Sequence, residues 1–298
     1  MSDTTISADM AAFSEIVRTD VTLAPYTWLK VGGPAQFLVE PRSEDELVEF
    51  VKFAGANDLA VRVLGGGSNL LVNDDGVPGA VVRLSHDSFQ QVEVDGTTVR
   101  AGAGALLSHV VSQSVAAGLA GMESLVGIPG TVGGAIRGNA GSRAGEIGEV
   151  VVSVDVLTAA GERFTRTEDE LSFEYRSSSV NELVVLGASF RLREEPAGDI
   201  AARMKQQWIT RKAEQPYGYQ SAGCVFKNPR GLSAGKLLDE AGLKGTRVGG
   251  AEVSDRHANF IVTEDGAKAS DVRQLIELMA ARVKDAHGVE LETEVVRW

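Results

Sequence analysis

A single cysteine, Cys224, stands among 298 residues. That excludes an intramolecular disulfide and a thiolate zinc cage built within one chain. Histidine is also scarce: His86, His109, His257 and His287 are scattered, with no HExxH or comparable ligand pair, so no metal site is expected. Basic residues are outnumbered, 29 Lys and Arg against 41 Asp and Glu, which leaves a net charge of −12. No block of Lys or Arg offsets it, and nucleic acid is therefore not an expected partner. No apolar run approaches the ~18 residues of a membrane span. The stretch Met1 to Ala11 has neither a basic start nor an apolar core. A secretory signal is not expected there, and the cytoplasm is the expected compartment. No internal repeat or low-complexity tract is present.

Hydrophobic residues make up 43% of the chain and charged residues 23%, ordinary for a protein that buries a core. The length suits two domains. Residues 1–20 show no stable pattern and are expected to be a loose N-terminal helix or arm. Gln36 to Val39 read as a strand. Ser43-Glu44-Asp45-Glu46 reads as a capping box, with Glu46 reaching back to the Ser43 amide. The following helix places Leu47, Phe50, Val51 and Ala54 on one face and stops at Gly55 or soon after. Strands are expected at 61–64, 80–84, 91–94 and 98–101, then a helix over 105–117 with Leu106, Val110, Val111 and Val115 in register. Further strands are expected at 150–158, 162–166 and 184–193. The C-terminal third reads as helices near 199–212, 233–241 and 270–286, with strands near 223–227, 259–263 and 290–297. The polar run Glu194 to Asp199 is the best domain boundary. The expected class is α+β: an arm over 1–20, a first domain over 21–195 and a smaller C-terminal α+β domain over 196–298.

Glycine is over-represented, 34 residues in all, against an ordinary share of about 7%, and it clusters. Val61 to Leu64 run into Gly65-Gly66-Gly67-Ser68-Asn69 and then a strand-like Leu70-Leu71-Val72. Glycines permit positive φ and close backbone approach, and successive amides in such a turn can form an anion-binding nest. The loop opens into neither a helix nor a GKS/T end, so it is neither a dinucleotide fingerprint nor a phosphate-binding P-loop. Taken alone it is equally a plain turn. The second cluster, Gly127 to Gly148, is too glycine-rich for a packed helix or strand and too apolar for a disordered linker. Two ordered glycine loops suit a large nucleotide lying between two subdomains.

The pair Gly-Gly-Gly-Ser-Asn at 65–69 and Ile-Pro-Gly-Thr-Val-Gly-Gly-Ala-Ile-Arg-Gly-Asn-Ala-Gly at 128–141 resembles the FAD-binding domain of the vanillyl-alcohol-oxidase (PCMH) type. Four more stretches narrow the resemblance: Tyr26 to Ala35, Phe173-Glu174-Tyr175-Arg176-Ser177-Ser178, Ser221 to Pro229, and Leu291 to Val295. In this order, over roughly 20–298, they resemble the UDP-N-acetylenolpyruvoylglucosamine reductase family. The absence of a long insertion between Tyr175 and Cys224 resembles its shorter, type II form. The resemblance implies a two-subdomain FAD-binding domain followed by a smaller substrate-binding domain. It also implies NADPH-dependent, FAD-mediated reduction of UDP-N-acetylglucosamine enolpyruvate to UDP-N-acetylmuramate, a step of peptidoglycan precursor and cell-wall synthesis.

Hydride addition to such a vinyl ether drives negative charge into its carboxylate, and a proton must then reach the adjacent carbon. By resemblance, Gly65, Gly66, Gly67, Ser68 and Asn69 hold the cofactor, as do Ile128, Pro129, Gly130, Thr131, Gly133, Gly134, Asn139 and Gly141. Arg176 would grip the carboxylate bidentately and stabilise its developing charge. Cys224 stands where many relatives carry a serine proton donor. A lone cysteine can equally be a small buried hydrophobe, but a thiol, with an ordinary pKa near ~8.5, gives up a proton more readily than a hydroxyl. Glu292 and Glu294 share a strand face by the two-residue period, which cannot choose between them; the family motif selects Glu294 as the third catalytic residue. Tyr175, Lys227 and Asn228 would contact substrate, the last two at its phosphates. Gly249-Gly250-Ala251 and His257 to Phe260 read as packing and site-shaping, and the role of Arg137 is open.

Two other readings remain at this point. One is a different flavin oxidase or dehydrogenase on the same cofactor domain. No histidine lies in the first glycine loop, which favours non-covalent FAD. The other is a non-catalytic UDP-sugar-binding protein, which would not need Arg176, Cys224 and Glu294 together.

Overall fold

The computed structural model describes residues 10–298; residues 1–9 of the expected arm lie outside the described residues. The rest of that arm is ordered. Met10–Phe13 form a 3-10 turn and Val17–Thr22 a strand. Apolar burial explains the difference from expectation. Met10 and Ile16 are buried, and Phe13 packs edge-on against Phe50 with ring centroids 5.4 Å apart.

The chain divides into two compact units. One comprises residues up to Val21, Gln36–Gly66 and Pro78–Ile209; the other comprises Thr22–Ala35, Gly67–Val77 and Thr210–Trp298. This differs from a division at 195/196. The segments 22–35 and 67–77 belong with the C-terminal third, and the last crossing falls inside a helix, Ala197–Glu214, not at the polar run before it. Both units mix helices and strands, so the α+β class holds.

The first unit holds a four-stranded sheet in the order Val17–Thr22, Pro34–Val39, Val77–Arg83, Val61–Leu64, the last two parallel. Its five-stranded sheet is antiparallel, in the order Arg163–Thr167, Val151–Leu157, Val184–Arg191, Thr98–Gly102, Val92–Asp95. Helix α1 (Glu44–Ala56) buries Leu47, Phe50, Val51 and Ala54, the face its periodicity marks. Half of the expected capping box forms. Ser43 Oγ accepts from the Glu46 amide at 3.2 Å, but the Glu46 carboxylate turns to the Arg42 amide (2.7 Å) and guanidinium (2.6 Å). A cation beside the helix start competes successfully for the carboxylate. Helix α2 (Leu107–Ala116) begins one residue later than the register implied; Leu106 is its exposed N-cap and Leu107 fills the core.

The glycine-rich stretch contains a helix that sequence reasoning excluded, α3 (Val132–Arg137). Val132, Ala135 and Ile136 are buried on one face, and burial offsets the poor helix propensity of Gly133 and Gly134. Helix α4 is Ala197–Glu214.

The second unit packs α5 (Ala234–Glu240) and α6 (Ala269–His287) with a three-stranded sheet, Arg247–Val248, Ala251–Val253 and Ile261–Thr263. Leu237, Leu238, Val253, Leu275, Ile276, Met279 and Val283 form its core. Gly288, at φ +69°, ends α6 in the left-handed conformation that glycine adopts without a steric penalty. Among the described residues no helix is long and apolar enough to cross a membrane.

Candidate functional site

In the first unit the two glycine loops touch backbone to backbone. A Cβ on Gly66 would stand 2.7 Å from Gly130 Cα, and one on Gly65 would stand 2.8 Å from Thr131 Oγ1. Glycine is therefore required at 66 by the close approach of the two backbones, while a Cβ at 65 would press on the Thr131 hydroxyl. Among the described residues, the amides of Gly65, Gly66, Gly130, Thr131 and Gly134 donate to no protein acceptor. Five N–H groups near one contact point, none committed to a protein acceptor, are a donor set suited to an anion. Other expected cofactor residues serve the loop's own architecture. The Gly133 amide donates to Ala103 O at 2.9 Å, Ile128 N donates to Leu125 O at 3.1 Å, and a Cβ on Gly141 would collide with Glu146. Pro129 has no amide to offer.

Asn139 is 1% exposed and left-handed at φ +42°. Its Nδ2 donates to Glu146 Oε2 (2.7 Å) and Glu174 O (2.9 Å), and its Oδ1 accepts from Gly148 N (3.1 Å). Glu174 closes the short strand Phe173–Glu174, which pairs with Ser177–Ser178 around a two-residue turn, Tyr175-Arg176. Arg176 sits at φ +59°, a conformation that costs a residue with a Cβ about 1–2 kcal/mol. Its Cζ lies 5.1 Å from the exposed Tyr175 ring centroid. The hairpin is held from beneath by Arg137, whose guanidinium donates to Val180 O (2.8 Å) and Glu182 O (2.6 Å). Ser178 Oγ returns a bond to Arg137 O at 3.1 Å. Arg166 adds bonds to Ser179 O (3.0 Å) and Glu182 Oε1 (3.2 Å). Arg137, left open by the sequence, and Arg166, missed by it, thus brace the segment that carries Arg176. Only their contacts 13 to 45 residues away reveal this.

In the second unit Gly67 has φ +62°, and a Cβ there would lie 2.0 Å from Tyr26 O. The chain beyond it is stitched to the C-terminus: Leu70–Leu71 pairs in parallel with Val296–Arg297, and Asn69 Nδ2 donates to Glu294 O at 3.0 Å. Ser68 sits between them, half-buried. Gly223, at φ +80°, turns the chain into Cys224, which is half-buried and bridges Phe260. The strand expected at 223–227 is realised as short bridges, Cys224 to Phe260 and Phe226 to Thr293. Asn259 substitutes for strand pairing. Its Oδ1 accepts from Phe226 N (3.0 Å) and its Nδ2 donates to Phe226 O (2.8 Å).

Across from Cys224, two consecutive amides, Glu294 N (2.7 Å) and Val295 N (3.4 Å), converge on Val225 O. Two residues opposing one is a β-bulge, a device that re-aims a side chain. Glu292 differs: its Oε1 binds Lys227 Nζ at 2.7 Å. That ion pair commits the Glu292 carboxylate, whereas the residue opposite Glu294 is the apolar Val225. Asn228 Oδ1 accepts from Ala234 N at 3.0 Å, at the start of α5. His257 is structural: Nδ1 accepts from Asn259 N (3.2 Å), and its ring packs at 4.9 Å from Phe260. Arg176 thus belongs to the first unit, and Cys224, Lys227, Asn228 and Glu294 belong to the second.

Residues 35–166 match the sequence profile of the FAD binding domain, and residues 215–298 match that of the UDP-N-acetylenolpyruvoylglucosamine reductase C-terminal domain. The UDP-N-acetylenolpyruvoylglucosamine reductase of Nitrobacter winogradskyi is 44% identical over 277 residues, covering 93% of this chain and 90% of that protein. The protein of the same name from Sphingopyxis alaskensis is 44% identical over 277 residues, covering 92% of each. The crystal structure of UDP-N-acetylenolpyruvylglucosamine reductase from Thermus caldophilus superposes with a TM-score of 0.83 at 42% identity, covering 95% of this chain and 99% of that one. Identity at this level along nearly the full length, on one fold, means that the chain belongs to the UDP-N-acetylenolpyruvoylglucosamine reductase family.

Proposed function

We propose that the protein reduces UDP-N-acetylglucosamine enolpyruvate to UDP-N-acetylmuramate for peptidoglycan synthesis, in the cytoplasm, with non-covalent FAD and with NADPH as electron donor. The observation that carries the chemical assignment is the pairing of Glu294 N with Val225 O at 2.7 Å. It fixes the backbone of Glu294 beside the residue that follows Cys224, so the two candidate proton-handling residues are one step apart in register.

The open amides of Gly65, Gly66, Gly130, Thr131 and Gly134 fit a pyrophosphate, and the collisions that a Cβ would cause at 65 and 66 explain why no larger residue stands there. When bound, FAD supplies the hydride that the side chains cannot. The residues' own work is charge and proton management. The Arg176 guanidinium binds the substrate carboxylate and stabilises the charge that builds there. The Cys224 thiol keeps its proton until the carbon beside the ether oxygen becomes basic, then transfers it there. Glu294, held protonated by the nearby substrate carboxylate, donates a hydrogen bond to it. Lys227 and Asn228 meet the diphosphate, Lys227 exchanging Glu292 for a phosphate oxygen, and Tyr175 lines the sugar side.

Anaerobic stopped-flow absorbance tests this directly. NADPH should bleach the flavin, and UDP-N-acetylglucosamine enolpyruvate should restore its colour. Cys224→Ala should leave bleaching intact and slow restoration by ~10²–10⁴-fold. Wild-type restoration in that variant would remove Cys224 from the chemistry, and no restoration in the wild type would reject the function.

A further inference from the structure

We propose, on the reading of Arg176 and Glu294 given above, that Asn139 and Asn69 are positioning residues: each glycine loop uses its asparagine to fix the backbone that carries a catalytic side chain. Asn139 is fully buried, and its carboxamide is engaged on both ends. The bond to Glu174 O, 2.9 Å, ends on the peptide immediately before the Tyr175-Arg176 turn. Arg176 occupies a left-handed position that its own side chain does not favour, so its aim depends on what surrounds the turn. Asn139 is itself left-handed, a conformation asparagine tolerates better than most residues. Asn69, in the 65–69 loop, repeats the arrangement within the second unit. Asn69 Nδ2 holds Glu294 O at 3.0 Å, and Asn69 O accepts from Val296 N at 3.1 Å, so the bulge that aims Glu294 is clamped on both sides. Upstream of each asparagine in the same glycine-rich stretch, Gly65 and Gly66 or Gly130, Thr131 and Gly134 carry the open amides of the cofactor cradle. Cofactor binding and catalytic alignment therefore share a backbone. A displacement of about 1 Å in a reacting group can cost ~10²-fold in rate, so a carboxamide that only touches backbone can govern turnover.

The test uses the FAD-loaded enzyme. Asn139→Gly removes all three bonds while keeping the left-handed backbone. Should it fold poorly, the double variant Asn139→Asp with Glu146→Gln replaces it. There the 139–146 bond persists with donor and acceptor exchanged, Oδ1 remains for Gly148, and only the Glu174 bond is lost. At saturating FAD, reoxidation by the enolpyruvyl substrate should slow ~10–100-fold, well beyond any change in flavin reduction by NADPH. In an Arg176→Ala background the same change should slow reoxidation no further, because its effect is exerted through Arg176. Asn69→Ala should behave likewise and lose its effect in a Glu294→Gln background. Independently of turnover, amide hydrogen exchange across 173–178 should accelerate in Asn139→Gly.

Losses that multiply in the double variants, or flavin reduction falling in step with reoxidation, would overturn the positioning role. Unchanged exchange at 173–178 would also overturn it. Failure of wild-type reduced enzyme to react with the enolpyruvyl sugar while exchange at 173–178 still accelerates would reject the functional reading instead.

Discussion

Lys227 and Glu292 face each other from segments joined by the Phe226–Thr293 bridge. Lys227 N donates to Glu292 O at 2.8 Å, and Lys227 Nζ lies 2.7 Å from Glu292 Oε1. Glu294, two residues on, lies instead opposite the apolar Val225, its amide donating to Val225 O at 2.7 Å. The two glutamates that alternation makes alike are therefore chemically distinct.

Glu294→Gln should slow flavin reoxidation by substrate by ~10²-fold or more, as loss of a stabilising donor does. Glu292→Gln breaks only a largely exposed ion pair, worth ~0.2–1 kcal/mol, and should change the same rate by less than about fivefold. Single-turnover rates for the two variants decide the matter; equal losses would show that Glu294 was wrongly chosen.

Gly66→Ala should weaken FAD binding at least ~10-fold without unfolding the protein. The added methyl meets Gly130 Cα at 2.7 Å. Because the obstacle is backbone, the loops must separate, at a cost of about 1–3 kcal/mol for such overpacking. Flavin titration followed by fluorescence, beside a circular dichroism spectrum, separates lost cofactor affinity from lost fold.

Asp74 caps α6 from a distant part of the chain: its two carboxylate oxygens accept from Ala269 N (2.7 Å) and Ser270 N (3.0 Å). Burial pushes its pKa upward, but these amides outweigh it and hold the carboxyl below its ordinary value. The stabilisation is present above the unfolded pKa, near 3.8, and is lost as pH falls through the folded one. Asp74→Ala should cost about 1 kcal/mol at pH 7, with a difference from wild type that shrinks in acid. Urea unfolding at pH 7 and at pH 3.5 measures both.

His257 supplies a second pH dependence, higher on the scale. Burial is the main cause of its lowered pKa and outweighs the opposing pull of Glu214. The fold holds the imidazole neutral, with Nδ1 accepting from Asn259 N. Below the unfolded pKa, near 6.5, the unfolded chain gains the proton first. Stability is complete above that pH and declines as pH drops toward the folded pKa. Thermal midpoints should therefore fall between pH 7.5 and 5.5. In His257→Gln the midpoint should be lower overall and the slope shallower; an unchanged slope would place its origin elsewhere.

The helices were legible because their signals are local. Leu47, Phe50, Val51 and Ala54 recur at helical spacing, and Ser43 caps within three residues of the amide it binds. Helix α3 was hidden, because its glycines have poor propensity and only the packing of Val132, Ala135 and Ile136 makes it a helix. The same limit applied to the site. Motifs announced the glycine loops, Arg176, Cys224 and Glu294, but the duties of Asn139, Asn69 and Arg137 are bonds to peptide carbonyls, which no side-chain pattern records.

By itself the sequence determined the chemistry on offer: one thiol, an arginine and paired glutamates in recognisable settings, and two glycine loops, with no metal cage expected. Tertiary structure decided which atoms are free and which are committed, and how the chain is divided. Segments 22–35 and 67–77 join residues 210–298 because their apolar side chains, Leu29, Val31 and Leu71, bury themselves in that core. Burial and hydrogen bonding act between groups that are close in space, and Asn69 and Glu294, 225 positions apart along the chain, become neighbours only when it folds.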